Sequence, residues 1–159
     1  MMGWRPEAKV PKTYQARAEA AATFLLAEAS EGELLIAGAV QMKEAGFQQR
    51  ARGAAGEVGL MQIHPRGMAK ILCRDLNVRL SRENVRCGVR ILRWARDKCG
   101  GPPERWLGLY NGRRRCGRSE YAARVLRIAE RGRRALADVP TRVDGTRTVG
   151  ALAESEDGK

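Results

Sequence analysis

The sequence predicts an all-α fold in a single domain. Apolar residues recur at helical spacing in several segments, and no segment shows the alternation of a half-buried strand. Capping residues mark the starts of segments, as where Ser30 is followed three residues later by Glu33. The pattern of strands alternating with helices that is typical of α/β folds is missing. A chain of 159 residues is long enough for one domain with a sizeable core.

The first two predicted helices are joined by a short turn. An alanine-rich helix is predicted over 13–29, and its inward residues are predicted to be Phe24, Leu25 and Leu26. Ser30 and Glu33 form a capping box that opens a second helix, which ends near Glu44-Ala-Gly46. One face of this second helix is predicted to carry Leu35, Ala39 and Met42.

A polar loop over 48–56 separates these helices from four more. Pro65 suits the first position of a third helix, with an apolar stripe of Met68, Ile71, Leu72 and Leu76. Ser81 is predicted to cap a fourth helix, with a buried stripe of Val85, Gly88, Val89, Leu92 and Ala95. The run Gly100-Gly-Pro-Pro103 stops it, and a short helix then carries Trp106, Leu109 and Tyr110. A last helix over 119–137 is predicted to bury Tyr121, Val125 and Ile128.

The ends of the chain differ from this helical region. Residues 1–12 are polar and contain prolines, which predicts a flexible segment. Residues 138–159 hold little that can pack in a core, so we expect them to be disordered. The predicted domain therefore covers 13–137.

The net charge of +12 favours anionic partners such as nucleic acid, acidic lipid or a cell wall. Part of it comes from a basic last helix with Arg124, Arg127, Arg131, Arg133 and Arg134. These arginines are expected either to grip an anionic wall polymer or to form a solvated face. Only Tyr121 stands among them as a base-stacking aromatic residue, so no nucleic acid is expected.

Three short motifs mark where chemistry is expected. Glu44-Ala-Gly-Phe47 closes the second helix, and Gly59-Leu-Met-Gln-Ile63 begins fifteen residues after Glu44. Tyr110-Asn-Gly112 follows the short helix. An acid at the end of an apolar helix, facing a glycine-rich loop, can lie in a partly dry pocket and act there as a proton donor.

Together these motifs resemble those of the soluble lytic transglycosylases of the lysozyme-like superfamily, over roughly residues 30–130. Those enzymes show Glu-Ser-x-aromatic, then Gly-x-x-Gly-Leu-Met-Gln-Ile-x-Pro, then Ala-Tyr-Asn-x-Gly. The resemblance implies a lysozyme-like fold with a central helix ending in the catalytic glutamate. It also implies cleavage of the β-1,4 bond between N-acetylmuramic acid and N-acetylglucosamine in peptidoglycan glycan strands, without a cofactor.

The resemblance assigns roles to individual residues. Glu44 matches the single acid and base, which protonates the glycosidic oxygen and then deprotonates the muramic C6 hydroxyl to give a 1,6-anhydro sugar. The substrate-binding residues are then expected to be Gln62, Tyr110, Met61, Asn111 and Glu57, and no metal is expected.

Structural alternatives stay open for these binding residues. The alternative for Gln62 is a side chain that bonds its own backbone, and the alternative for Tyr110 is a buried hydroxyl that is satisfied away from the acid. Met61 and Leu60 are expected to pack rather than to contact a sugar, and Asn111 to shape the turn. His64 is expected to be an exposed loop residue.

Three positions depart from the family pattern. Ala45 replaces a serine, and Arg113 replaces a glycine at the start of an arginine run. Glu57 replaces a small residue and is either a solvated loop glutamate or a second carboxylate that activates water. The second option would give a hydrolytic muramidase similar to goose lysozyme. A wall-binding component without catalysis is the remaining alternative.

The four cysteines are predicted to form two disulfides. Cys87 and Cys99 share the fourth helix, which places them about 18 Å apart, too far to bridge. Cys73 is expected near the start of that helix, so Cys73–Cys87 and Cys99–Cys116 remain. The alternative is four reduced thiols in a cytosolic protein, and the oxidising environment of a cell wall favours the disulfides.

The expected location is outside the cytoplasm, in the periplasm or cell wall. The first residues lack the apolar core of a signal peptide, so export is expected through phage lysis, a secretion system or a leader outside this sequence. The most apolar region, 20–40, is interrupted by three glutamates, and no membrane span is predicted. A monomer is expected.

Overall fold

The computed structural model describes residues 13–138, which form six α-helices. They are α1 (Tyr14–Glu28), α2 (Glu31–Ala45), α3 (Ala69–Leu72), α4 (Ser81–Cys99), α5 (Pro103–Tyr110) and α6 (Glu120–Ala137). Over this range the chain forms no β-strand, and the only β-type pairs are the isolated bridges of Val58 with Arg52 and with Ile63. The prediction of an all-α fold is confirmed. The predictions for 1–12 and for 139–159 lie outside the described residues.

Helix α2 packs against α1, α4 and α6, most extensively against α6. The predicted capping box opens it, with the Glu33 carboxylate accepting a hydrogen bond from the Ser30 backbone N–H at 2.9 Å. Gly46 ends it in the left-handed conformation, with φ of 52°, and donates its N–H to the Met42 carbonyl. The chain therefore turns away directly after the last turn of α2, which carries Glu44.

The buried faces of α1 and α2 differ from the prediction. Leu25 is buried, but Leu26 is 69% exposed, because neighbouring residues point about 100° apart around a helix. On α2, Ala39 is buried, whereas Leu35 and Met42 lie at the surface. The α2 residues that face the core are Ala37, Ala39, Val40, Gln41 and Ala45. Small residues allow the neighbouring helices to approach α2 closely, so its larger apolar side chains lie at the edge of the contact.

The third helix is much shorter than predicted. Pro65 does not begin it, because the chain first winds through single turns, with Gly67 N–H donating to His64 and Lys70 N–H to Gly67. Glycine disfavours a continuous helix at this point. Ile71, predicted to face inward, is 63% exposed, while Met68, Leu72 and Leu76 pack partly against the core.

The last three helices follow the prediction closely. Ser81 is the first residue of α4 rather than its cap, and Leu80 takes the cap position. The predicted α4 stripe is buried, as are Trp106 and Leu109 on α5. Ser119 caps α6 by accepting a hydrogen bond from Ala122 N–H at 3.0 Å. The residues predicted to lie inside α6 are buried or partly buried: Tyr121, Val125 and Ile128.

Both predicted disulfides are present. Cys73–Cys87 joins the end of α3 to α4, and Cys99–Cys116 joins the end of α4 to the loop between α5 and α6. The Cα atoms are 5.6 Å apart in each pair. None of the helices over residues 13–138 has the length and apolar content to cross a membrane.

Candidate active site

A cavity of about 290 Å³ lies where the end of α2, the loop 57–64 and the end of α5 meet. This volume is at the lower end of the range for ligand pockets. Glu44, Gln62 and Tyr110, from three separate sequence motifs, all line it. Its other polar lining residues are Glu57, Asn111 and His64. The fold therefore brings five of the six predicted site residues to one hollow.

The Leu-Met-Gln loop is held in place by Asn84 of α4. The Asn84 side chain is completely buried and accepts a hydrogen bond from Met61 N–H at 2.8 Å. It also donates to the carbonyls of Val58 and Val78, each at 2.8 Å. Gly59 has a φ of 75°, and a Cβ there would come within 2.6 Å of the Asn84 amide. Glycine is thus required both for the backbone conformation and for this contact.

Asn84 was missed as a site residue, although the sequence contained a signal. It stands four residues before Gly88, in line with the buried stripe of α4, where an apolar side chain is expected. A polar residue at such a position needs internal hydrogen-bond partners. Only the structure shows that these partners belong to the loop that lines the cavity.

Met61 is the predicted site residue that does not line the cavity. Its side chain is completely buried and packs on α4, where a Cβ on Gly88 would come within 2.6 Å of the Met61 methyl group. The backbone of Met61 contributes instead, because its carbonyl accepts the hydroxyl proton of Tyr110 at 2.7 Å. Met61 therefore acts as an anchor beneath the cavity.

Gln62 combines both of the roles considered for it. Its Nε2 donates to the Gly59 carbonyl at 2.9 Å, so the side chain bonds its own loop. It also lines the cavity, and its Oε1 accepts no hydrogen bond from the described residues. Gln62 has a φ of 45°, which is unusual outside glycine and concentrates at ligand-binding positions.

The Glu57 carboxylate lies beside Gln62 at the same edge of the cavity. It accepts a hydrogen bond from Ala55 N–H at 3.1 Å. A Cβ on Gly53 would lie 2.2 Å from Glu57 Oε2 and 2.8 Å from Gln62 Oε1, so both oxygens occupy the space that Gly53 leaves open. Glu57 is thus a second carboxylate of the cavity, held by its own loop.

Tyr110 and Tyr121 stack near the acid, with ring centroids 6.4 Å apart. Burial raises the pKa of Tyr110, and the charge of Glu44 raises it further. The same two causes, in the same order, raise the pKa of Tyr121. Glu44 is therefore the carboxyl group that faces both phenols, and both phenols remain protonated near it.

The two tyrosines differ in how their hydroxyl groups are satisfied. The Tyr110 hydroxyl donates a hydrogen bond to the Met61 carbonyl. The Tyr121 hydroxyl is buried without a hydrogen bond of standard geometry to any described residue. The Glu44 carboxyl contributes to the raised pKa of Tyr121, although it makes no hydrogen bond of standard geometry with the Tyr121 hydroxyl. Tyr121, predicted only as a core residue, thus belongs to the surroundings of the acid.

Gln41 is a further buried polar residue on the same helix. It lies one turn before Glu44 and is completely buried, and neither of its amide atoms has a partner among the described residues. A buried amide without partners is costly, so Gln41 is an exception on the otherwise apolar buried face of α2.

His64 was predicted to be exposed and is instead half-buried in the cavity lining. Its Nδ1 accepts a hydrogen bond from Arg66 N–H at 3.1 Å. In the neutral imidazole this leaves the proton on Nε2, which can then donate to a ligand. A turn at His64–Gly67 accompanies this position, and Pro65 and Gly67 are the sequence signal for it that the helical interpretation passed over.

The chain matches the model of the transglycosylase SLT domain family over residues 24–124. This match covers more than half of the chain, and the protein belongs to that family. The matched region contains α2, the Leu-Met-Gln loop, both tyrosines and every residue of the cavity. No match is found among curated proteins or among solved structures. Family membership indicates a transglycosylase that acts on peptidoglycan, and the helical structure agrees with a lysozyme-like fold.

Proposed function

We propose that the protein is a peptidoglycan lytic transglycosylase in which Glu44 is the only acid and base. The observation that supports this most directly is that Glu44 shares one cavity with Gln62 and Tyr110 in a member of the SLT family. The bond that it cleaves is the β-1,4 bond between N-acetylmuramic acid and N-acetylglucosamine.

The proposed reaction needs one carboxyl group in two protonation states. The Glu44 carboxyl first gives its proton to the glycosidic oxygen, and the bond from that oxygen to the muramic C1 breaks. The muramic C6 hydroxyl then forms a bond to C1 and returns its proton to the Glu44 carboxylate. Because the nucleophile belongs to the substrate, its effective concentration is high and no water is consumed.

The surrounding residues have supporting tasks in this proposal. The Oε1 atom of Gln62 and Nε2–H of His64 are free to bond hydroxyl or acetamido groups of the sugar. Tyr110 fixes the end of α5 to the Leu-Met-Gln loop, so the two walls of the cavity keep their separation. The charge of Glu44 raises the pKa of Tyr121, so we assign to the Tyr121 hydroxyl the task of holding that carboxyl by a hydrogen bond that forms once substrate is bound.

Glu57 supports a second candidate function, that of a hydrolytic muramidase on the same bond. Its carboxylate lines the cavity and can deprotonate a water molecule that attacks C1. The hydrogen bond from Ala55 and the position beside Gln62 favour a loop-fixing role instead. Mass spectrometry of the released muropeptides separates the two functions, because anhydro-muramic ends mark the transglycosylase and reducing ends mark the hydrolase.

Glu44→Gln is the decisive variant. Loss of a general acid is expected to lower the rate of solubilisation of purified sacculi by about 10²-fold to 10⁴-fold. Glu31→Gln, at the exposed opposite end of α2, is the matched control and is expected to keep full activity. Sacculus lysis by Glu44→Gln at the unmodified rate would refute the proposal. Binding to sacculi by the unmodified protein without any lysis would identify a wall-binding component instead.

A further inference from the structure

The loop 113–118, here called the arginine loop, concentrates positive charge between α5 and α6. Four of its six residues are arginines: Arg113, Arg114, Arg115 and Arg118. All four are exposed. Solvent screens the repulsion between these exposed charges, and together they produce a local positive field that attracts anions.

The arginine loop is fixed to α5 and to the end of α4. Arg113 N–H donates to the Gly108 carbonyl at 3.0 Å, and Gly117 N–H donates to the Arg105 carbonyl at 2.7 Å. The disulfide from Cys116 to Cys99 ties it to the end of α4. The guanidinium group of Arg113 also closes the loop by donating to the Arg118 carbonyl. A pre-organised loop loses less entropy when it binds a ligand than a free chain would.

The other arginines of this loop have no carboxylate partner among residues 13–138. No ion pair there includes Arg114, Arg115 or Arg118, although α4 carries several arginines that are all paired. The guanidinium groups of the loop are therefore available to an external anion, for which their planar, multiple N–H donors are well suited.

The position of the loop connects it to the cavity. Asn111 and Gly112 line the cavity, and Arg113 is the next residue. Since consecutive Cα atoms are about 3.8 Å apart, the backbone of Arg114 lies within about 8 Å of Gly112 and that of Arg115 within about 12 Å. An anion bound there would belong to a molecule that also reaches the cavity.

We infer that the arginine loop binds the free carboxylates of peptide stems on the glycan strand that occupies the cavity. This inference rests on the proposed function, because it assigns the substrate of the same site. The sugars of the strand are held by the polar cavity residues and offer arginine no full charge. The stems are attached to the strand and carry carboxylates, so they match both the charge of the loop and its distance from the cavity.

Binding to sacculi tests the inference without relying on cleavage. Sacculi stripped of phosphodiester polymers are prepared with free or with amidated stem carboxylates, and co-sedimentation is measured in the Glu44→Gln background. The chain is expected to bind the free-carboxylate sacculi about threefold to tenfold more tightly, a range set by two exposed charge pairs. Adding Arg114→Gln and Arg115→Gln is expected to remove this preference and leave the weaker affinity for amidated sacculi.

Arg127→Gln with Arg131→Gln is the matched control, since both residues are exposed on α6 and have no carboxylate partner over residues 13–138. The preference should survive in this control. The inference is overturned if the loop variant keeps the preference, or if the control loses it equally, which would indicate general charge attraction. It is also overturned if the chain binds only sacculi that keep their phosphodiester polymers and binds them equally well with free and with amidated stem carboxylates. Because binding is measured without turnover, the preference for free carboxylates can be interpreted even if the proposed reaction proves wrong.

Discussion

The arginines of α4 and those of the arginine loop have opposite environments in the same molecule. On α4, every arginine between residues 82 and 96 has a carboxylate partner. The pairs are Arg82 and Arg86 with Glu28, Arg90 with Asp75, and Arg93 and Arg96 with Glu33. In the arginine loop no such partner exists among the described residues. The contrast shows that arginine content alone says little about function until the fold decides which charges are balanced.

The paired arginines fasten α4 to the turn between α1 and α2. The Glu28 side chain is only 8% exposed, and burial alone would raise its pKa. Hydrogen bonds from Arg86 and Arg82 outweigh burial, so the pKa is lowered and the carboxylate stays charged. Glu33 has a double task, because it closes the capping box of α2 and also accepts from Arg93 at 2.7 Å. These arginines therefore belong to the stability of the fold.

Removing the disulfides is expected to give the largest change in the free energy of unfolding among the tests of this contrast. Removing Cys73–Cys87 or Cys99–Cys116 by double alanine substitution is expected to lower the free energy of unfolding by about 3 kcal/mol in each case. Only the Cys99–Cys116 variant should also bind sacculi more weakly, because only that disulfide holds the arginine loop. Chemical denaturation gives the stabilities, and co-sedimentation is measured where both variants are folded. Equal loss of binding in the two folded variants would contradict the role assigned to the loop.

Glu33→Gln tests the paired set with a smaller expected effect. Glutamine can still accept the Ser30 N–H bond, so the capping box survives while the charge is lost. Hydrogen bonds from Arg93 hold the pKa of Glu33 at about 2, below its usual 4.5, although burial opposes them. At pH 7 the variant is expected to lose about 1–2 kcal/mol, because the partly exposed guanidinium groups are screened by solvent.

The pH dependence of this loss follows from the direction of the shift. A carboxyl group whose pKa is lowered on folding stabilises the protein above its unfolded pKa, and this contribution disappears as the pH falls through the folded value. The difference in unfolding free energy between the protein and Glu33→Gln should therefore be full above about pH 4.5 and close to zero near pH 2. Glu31→Gln serves as the control, and a difference that persists unchanged at pH 2 would exclude the ion pair as its cause.

The arginine loop should show the smallest effect on stability. Arg114→Gln with Arg115→Gln is expected to change the free energy of unfolding by no more than about 0.5 kcal/mol, as is usual for surface substitutions. Thermal or urea unfolding of the double variant checks this beside Glu33→Gln. A loss comparable to that of Glu33→Gln would place the loop arginines in the structural set and remove the distinction.

Several features of the fold were predictable because they depend on residues close in sequence. The Ser30 and Glu33 capping box, the glycine stop at Gly46 and the α4 stripe all arise within one or two helical turns. For the disulfides, the rise of α4 excluded a bridge between Cys87 and Cys99, and the expected position of Cys73 near the start of α4 then selected the pairing. The errors at Leu26, Leu35, Met42 and Ile71 have a common origin, since the buried side of a helix depends on which neighbours it meets. The third helix was overextended because the apolar pattern over 65–76 was given more weight than Gly67, where single turns interrupt the helix.

The candidate site divides in the same way. The spacing of Glu44, Gln62 and Tyr110 was readable in the sequence, and these residues line one cavity. The Tyr110 bond to Met61 spans 49 residues of chain and the Arg93 bond to Glu33 spans 60. Contacts at such separations come from helix packing, and no local pattern encodes them. Asn84 and Tyr121 acquired their places near the cavity in this way, whereas a local turn accompanies the placement of His64.

The sequence by itself determined the all-α class, the ends of most of the described helices, the cysteine pairs and the motifs that carry the resemblance to a transglycosylase. Caps, periodicity and helix rise act over a few residues, and each can be read directly from residue order. Only the tertiary structure decided which polar groups surround Glu44 and which arginines are neutralised. Those outcomes depend on the distance between residues far apart in the chain, and packing of α2, α4 and α6 sets that distance.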